Sequence, residues 1–189
     1  MVNVLDKVQP KNKTQLKSLI EYAFNHNIYD LNFIDTSKIT EMSNLFMNCE
    51  YDIDVSNWDV SNVTNMSGMF YNCENFNCDL SKWNVSNVTN TAGMFYFCKN
   101  FDCDLSDWDV SNVTDTSVMF YYCYDFDSDL SNWNVSNVKD MSYMFTVCEN
   151  FKGKGLENWD VSKVEDMKYM FGGCDKITIP NWYKLYHKK

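Results

Sequence analysis

The sequence contains no arginine. Its 16 basic residues are all lysine and face 26 acids, for a formal net charge of -10 over 189 residues. Without the guanidinium fork, and with this acidic balance opposing nucleic-acid backbones and anionic membranes, no nucleic-acid partner is expected. Glycine (6) and proline (2) are scarce, which excludes collagen-like and linker-rich chains. Only two histidines occur, His26 and His187, leaving little for acid–base or metal chemistry. No apolar run approaches the roughly 18 residues of a membrane span. Met1 to Lys17 lacks the apolar core of a secretory signal, so a cytoplasmic location stays open. No Ser-His-Asp set, H-E-x-x-H, G-x-S-x-G or phosphate-loop motif is present, so the expectation is a non-enzymatic protein without cofactor.

What is abundant is apolar and aromatic residues, 45% and 16%, together with 24 asparagines. Aligned on itself, the chain repeats. Trp58, Trp83, Trp108, Trp133 and Trp159 are 25, 25, 25 and 26 residues apart. Phe46, Phe70, Phe95, Phe120, Phe145 and Phe171 keep the same step, with one interval of 24 and one of 26. Each Phe is followed three residues later by a cysteine: Cys49, Cys73, Cys98, Cys123, Cys148 and Cys174. The unit reads L-S-x-W-[DN]-V-S-N-V-T-[ND]-M-S-x-M-F-x-x-C-x-x-F. One unit cannot bury its apolar face, but stacked units bury identical columns against each other.

Two local periods appear within a unit. Leu80, Trp83 and Val85 predict a short strand. Met66, Met69, Phe70 and Cys73 fall at i, i+3, i+4 and i+7, which predicts a two-turn helix capped by Asn65, Asn90, Asp115, Asp140 or Asp166. The expected fold is an α/β repeat solenoid, leucine-rich-repeat-like, with a short parallel strand plus a short helix per coil of about 25 residues. It forms one continuous domain. Residues 1–33 supply an N-terminal capping helix, led by Thr14 and striped by Leu16, Leu19, Ile20, Ala23 and Phe24, and a first strand. Residues 34–175 hold about five and a half repeats, and residues 176–189 the C-terminal cap with its basic tail.

The segments Asp109-Val110-Ser111-Asn112-Val113-Thr114, Met69 to Phe76 and Leu80 to Trp83 resemble the repeats of BspA-like leucine-rich-repeat surface proteins. The likeness is to the bacterial surface protein repeat of about 26 residues. It covers residues 34–175 and implies a surface-displayed or secreted module for adhesion or protein binding, with no catalytic residues. A protein partner is implied, a host surface protein among the candidates, and the capped stack is expected to be a monomer. The other class of function is a structural, self-assembling or intracellular scaffold protein.

Two sets of residues are candidates for partner binding. The first is aromatic: Tyr71, Tyr96, Phe97, Tyr121 and Tyr122 group in one exposed-aromatic patch, beside Tyr124. The second is the alternating column Asp59, Asn84, Asp109, Asn134 and Asp160, read either as a charge-neutral ladder or as a polar binding surface. A further column, Asp54, Asp79, Asp104 and Asp129, does not alternate and reads as a solvated turn or a weak cation site. The structural core columns are Trp58, Trp83, Trp108, Trp133 and Trp159; Phe70, Phe95, Phe120 and Phe145; and Cys73, Cys98, Cys123 and Cys148. The cysteines read as buried small hydrophobes, with inter-coil disulfides as the alternative. The pairs Cys73/Cys78 and Cys98/Cys103 match metal-ligand spacing only loosely, and no metal is expected. Across residues 41–151, 17 acids face three lysines, a net of -14, so a neutral or cationic partner is favoured.

Overall fold

A computed structural model describes residues 7–186. The start of the Met1–Lys17 segment, His187 and the tail residues Lys188 and Lys189 lie outside the described residues. The chain opens with helix α1, Lys13–Asn25, which buries Leu16, Ile20 and Ala23 at i, i+4 and i+7. Its N-cap is Asn12 rather than Thr14: the Asn12 side chain accepts from the Gln15 amide at 3.0 Å. The helix ends at Asn25 with His26 as its C-cap; Asn27 then turns left-handed at φ 57°, and the Ile28 amide returns to the Ala23 carbonyl at 2.9 Å.

After α1 the chain winds in stacked coils, but not the coils the sequence suggested. Among the described residues the only α-helices are α1 and α2 (Asn181–Tyr186), with one 3-10 turn at Leu156–Asn158. No strand forms among these residues, and β structure is confined to isolated parallel bridges, such as Asn90 with Asn65 and with Asp115. The expected α/β repeat solenoid, with a leucine-rich-repeat-like strand and helix in each coil, is overturned.

The physical reason lies in where the amides point. From Met66 to Cys73 they alternate. Met69, Tyr71 and Cys73 donate three residues back, to Met66, Gly68 and Phe70, at 3.0–3.1 Å. Met66, Gly68, Phe70 and Asn72 donate out of the coil, to Asn90, Ala92, Met94 and Tyr96, at 2.6–2.9 Å. A helix sends every interior amide back four residues and leaves none for a neighbour. Here the chain is a run of tight turns, made possible by positive φ at Gly68 (61°) and Asn72 (57°). The apolar spacing i, i+3, i+4, i+7 suits these turns as well as it suits a helix. The supposed strand is likewise bracketed by turns, Trp83 to Leu80 at 3.0 Å and Val88 to Val85 at 2.8 Å.

The corners of each coil are built by Asx turns, in which an Asp or Asn oxygen accepts the amide two residues on. Asp79 holds Ser81 at 2.9 Å, Asn84 holds Ser86 at 3.1 Å and Asn90 holds Ala92 at 2.9 Å. Other side chains tie each coil to the one before. The Trp83, Trp108 and Trp133 indoles donate to the Val55, Leu80 and Leu105 carbonyls at 2.9–3.1 Å. Asn87 and Asn112 amides donate to the Ser61 and Ser86 carbonyls at 2.7 Å. The core follows the same columns. Trp83 and Trp108 lie parallel at 6.5 Å, Phe70 and Phe95 at 5.7 Å, and Phe76 and Phe101 at 6.0 Å. Trp182 of α2 extends the column, stacking on Trp159 at 6.4 Å and donating to Leu156 at 2.7 Å.

Candidate binding surface

The turn ladder presents one flank of aromatic side chains. In each coil two residues four apart have positive φ. The first column is Asn44, Gly68, Gly93, Val118, Tyr143 and Tyr169; the second is Asn48, Asn72, Phe97, Tyr122, Val147 and Gly173. Asparagine and glycine adopt this conformation at little cost, whereas other side chains lose roughly 1–2 kcal/mol each. A β-branched valine there is an outlier. The N-terminal coils use the inexpensive residues. From Phe97 to Tyr169 bulky side chains replace them, and the last position returns to glycine at Gly173.

Between the two columns, Tyr71, Tyr96 and Tyr121 stack face to face at 4.3 and 4.9 Å, within 4° of parallel. Phe97 and Tyr122, both at positive φ, stack beside them at 4.4 Å. Tyr121 meets Tyr143 edge-on at 6.3 Å, Tyr143 stacks on Tyr169 at 5.2 Å, and Tyr122 meets Tyr124 at 5.8 Å. Burial and the Tyr71 hydroxyl push the Tyr96 phenol up to about 12, and burial followed by Tyr122 raises that of Tyr121. These phenols stay neutral. The ammonium of Lys99 lies 5.9 Å from the Phe97 ring and pairs with Glu74 at 2.8 Å, and Lys168 lies 6.0 Å from Tyr143.

The structure thus brings Tyr71, Tyr96, Phe97, Tyr121 and Tyr122 together. It adds Val118, Tyr143, Val147 and Tyr169, which spacing alone did not select. Their signal was available in the register: glycine and asparagine recur at the same two positions in the earlier coils.

The other candidate column is a row of corners. Asp59, Asn84, Asp109, Asn134 and Asp160 are exposed, and each accepts the amide of the serine two residues on, at 3.0–3.2 Å. Asp54, Asp79, Asp104 and Asp129 do the same for Ser56, Ser81, Ser106 and Ser131 at 2.9–3.0 Å. These bonds hold the carboxyls of Asp54, Asp79 and Asp104 below their ordinary value. Lys154 adds an ion pair that lowers Asp129 to about 2. Among the described residues no three His, Cys, Asp or Glu side chains converge as a metal site.

All five candidate core tryptophans are buried, as are Phe70, Phe95, Phe120 and Phe145. The thiols of Cys73, Cys98, Cys123 and Cys148 are buried, free and donate to the carbonyls of Phe46, Phe70, Phe95 and Phe120 at 2.9–3.0 Å. Burial raises their pKa, to about 12 at Cys73 and well above the ordinary value at the other three.

Compared with protein families, the chain matches the model described as Mycoplasma protein of unknown function, DUF285, over residues 14–128 and again over residues 98–184. It belongs to the DUF285 family. The two matches overlap, as a repeating DUF285 chain allows. No curated protein matches this DUF285 chain, and no solved structure does.

Proposed function

We propose that this DUF285 chain is a non-enzymatic protein-binding module whose aromatic flank engages a protein partner, with adhesion to a host surface protein as its setting. One observation carries the reading. Phe97, Val118, Tyr122, Tyr143, Val147 and Tyr169 all occupy positive-φ positions that earlier coils fill with glycine or asparagine. Strain retained at a defined surface is a mark of function. Tyrosine is also a residue type enriched among the anchors of protein interfaces. The chemistry-bearing groups support the non-enzymatic part: the aspartates form corners and the buried thiols are held protonated. The likeness of the repeat motif to BspA-like surface proteins points the same way, as does the family's association with Mycoplasma.

The test is binding of the fluorescently labelled chain to a detergent extract of epithelial surface proteins immobilised on beads. Saturable binding that falls at least about tenfold in the variant Tyr96→Ser/Phe97→Ser/Tyr121→Ser/Tyr122→Ser, with a retained thermal transition, supports the reading. Should that variant unfold, Val118→Asn/Tyr143→Asn provides the comparison, since asparagine suits both backbones. Undiminished binding in a folded variant removes the flank as the binding surface.

A further inference from the structure

The aromatic flank has an acidic border on each side. One border is the row Glu41, Asn65, Asn90, Asp115, Asp140 and Asp166, joined coil to coil by parallel bridges. Asn65 and Asn90 hold the amides two residues on, at Ser67 and Ala92, at 3.0 and 2.9 Å. Asp115 and Asp140 make the same turn with Ser117 and Ser142, at 2.9 and 2.8 Å. A neutral residue therefore suffices for this corner. Carboxylates facing one another in register are destabilising, yet Asp115, Asp140 and Asp166 follow in succession. They do so in the coils whose flank positions turn bulky, those of Val118, Tyr143 and Tyr169. The opposite border carries Glu50, Glu74 and Glu149, all exposed.

Two of the chain's own lysines show what this surface holds. The Lys99 ammonium pairs with Glu74 at 2.8 Å and lies 5.9 Å from the Phe97 ring. On the other border, the Lys168 ammonium pairs with Asp166 at 3.1 Å and lies 6.0 Å from the Tyr143 ring. Asp166, then Tyr143 and Asp140, raise the pKa of Lys168 and keep it charged. A carboxylate on one side and an aromatic ring on the other is a favourable setting for a cation. Between these two lysines, Asp115, Asp140 and Glu149 have no ion pair among the described residues.

We infer that the flank takes a lysine- or arginine-bearing segment of its protein partner, whose cationic side chains lie against Tyr121, Tyr122 and Tyr143 with Asp115, Asp140 and Glu149 as counter-charges. The inference rests on the flank being the binding surface and adds the chemistry of what it binds. An acidic segment would meet carboxylates on both borders. A purely apolar one would strip water from those carboxylates without supplying a counter-charge. A basic segment relieves the repulsion along the Asp115, Asp140 and Asp166 row and repeats the contacts that Lys99 and Lys168 make.

The experiment uses the full chain and a short fluorescein-labelled peptide of alternating lysine and glycine, with a glutamate–glycine peptide as control. Anisotropy should show saturable binding of the lysine peptide alone, weakened at least about tenfold between about 0.05 and about 0.5 M salt. Two variants that each remove three charges separate the flank from overall charge. Asp115→Asn/Asp140→Asn/Glu149→Gln is expected to weaken binding at least about tenfold, and Asp59→Asn/Asp109→Asn/Asp160→Asn less than about twofold. Asn65 and Asn90 already form the one corner, and Asn84 and Asn134 the other, so both variants keep their turns. Equal losses in the two variants overturn the inference, as does equal binding of the glutamate peptide. The lysine peptide should also compete with the chain for the immobilised surface-protein extract. Extract binding that falls in the Tyr96→Ser/Phe97→Ser/Tyr121→Ser/Tyr122→Ser variant but ignores the peptide overturns the cationic partner and leaves the flank reading standing. Extract binding undiminished in that folded variant overturns the flank reading itself. Self-association of the chain that the lysine peptide disperses makes a second copy the occupant and overturns the inference as well.

Discussion

The indole N–H of Trp108 donates to the carbonyl of Leu80, 28 residues earlier, at 3.1 Å, while its ring lies parallel to that of Trp83 at 6.5 Å. One side chain therefore supplies both a hydrogen bond and a stacking surface to the coil beneath it. Trp108→Phe removes the donor and leaves a void in a fully packed column. The expected loss is about 2–3 kcal/mol in urea unfolding at unchanged m-value. Trp182→Phe, at the half-buried end of the same column, is expected to cost less.

Gly155 tests how tightly the 26-residue coil is threaded. Its φ is 90°, and a Cβ placed there would lie 2.3 Å from the backbone nitrogen of Ser131. Gly155→Ala forces the backbone of two coils apart and is expected to cost about 3 kcal/mol. Gly172→Ala, with ordinary φ and its nearest neighbouring atom at 3.4 Å, is expected to stay within about 0.5 kcal/mol. Equal effects at both positions would show that the coils yield easily.

These two sites mark what the sequence made readable. The period and the inward columns follow from spacing, because Trp108 and Phe95 recur only if the same surface is buried each time. The local conformation was not readable from spacing. A run of turns with positive φ at Gly68 and Asn72 places Met66, Met69, Phe70 and Cys73 inward just as a helix does. What separates the two is whether the amides stay in the coil or leave it, and side-chain periodicity carries no record of that. The asparagine excess held the missing clue. Asn84 and Asn90 form corners and Asn72 takes a left-handed turn, roles that belong to turns rather than helices. The aromatic residues Tyr96 and Tyr121 could be grouped from their spacing. Tyr143 and Tyr169 join them only through the positive-φ register.

Asp104 gives the corners a pH dependence. The Ser106 backbone and side chain hold its carboxyl below the ordinary 3.8, against the raising effects of burial and Asp129. A carboxyl lowered in the folded state stabilises the fold above its unfolded pKa and loses that contribution as pH falls through the folded value. Asn84 and Asn134 form the same turn with a neutral oxygen, at 3.1 and 3.2 Å. Asp104→Asn keeps the turn but removes the charged acceptor, and is thus expected to be neutral or slightly destabilising at neutral pH. Between about pH 5 and about pH 2 it should lose less stability than the parent chain. Parallel acid-unfolding curves would contradict this role for Asp104.

The cysteine column predicts a graded thiol reactivity. Cys98, Cys123 and Cys148 are buried, donate to carbonyls of the preceding coil, and have pKa values raised by burial. Cys49, Cys78 and Cys174 are partly accessible. Maleimide labelling read by mass spectrometry at mildly alkaline pH should modify Cys49 and Cys174 first, with Cys78, raised to about 12, more slowly. The three central thiols should resist until denaturant is added, because the thiolate is the reactive form. Uniform labelling of all eight in the native state would indicate that the stack opens readily.

Val118 tests the proposed trade between stability and binding. It holds φ at 50°, a conformation that Asn44 occupies three coils earlier with little strain on its side chain. Val118→Asn is expected to raise stability by about 0.5–1 kcal/mol, because the strain relieved exceeds the apolar burial that a half-buried valine provides. Val138→Asn, at a fully buried position, should instead cost several kcal/mol. If the flank binds a protein partner, the stabilised Val118→Asn chain should also retain less of the labelled-chain binding to the surface-protein extract. A variant that gains stability with no loss of binding would separate the strain from the interface. It would leave the stacked tyrosines Tyr71, Tyr96 and Tyr121 as the part of the flank to test next.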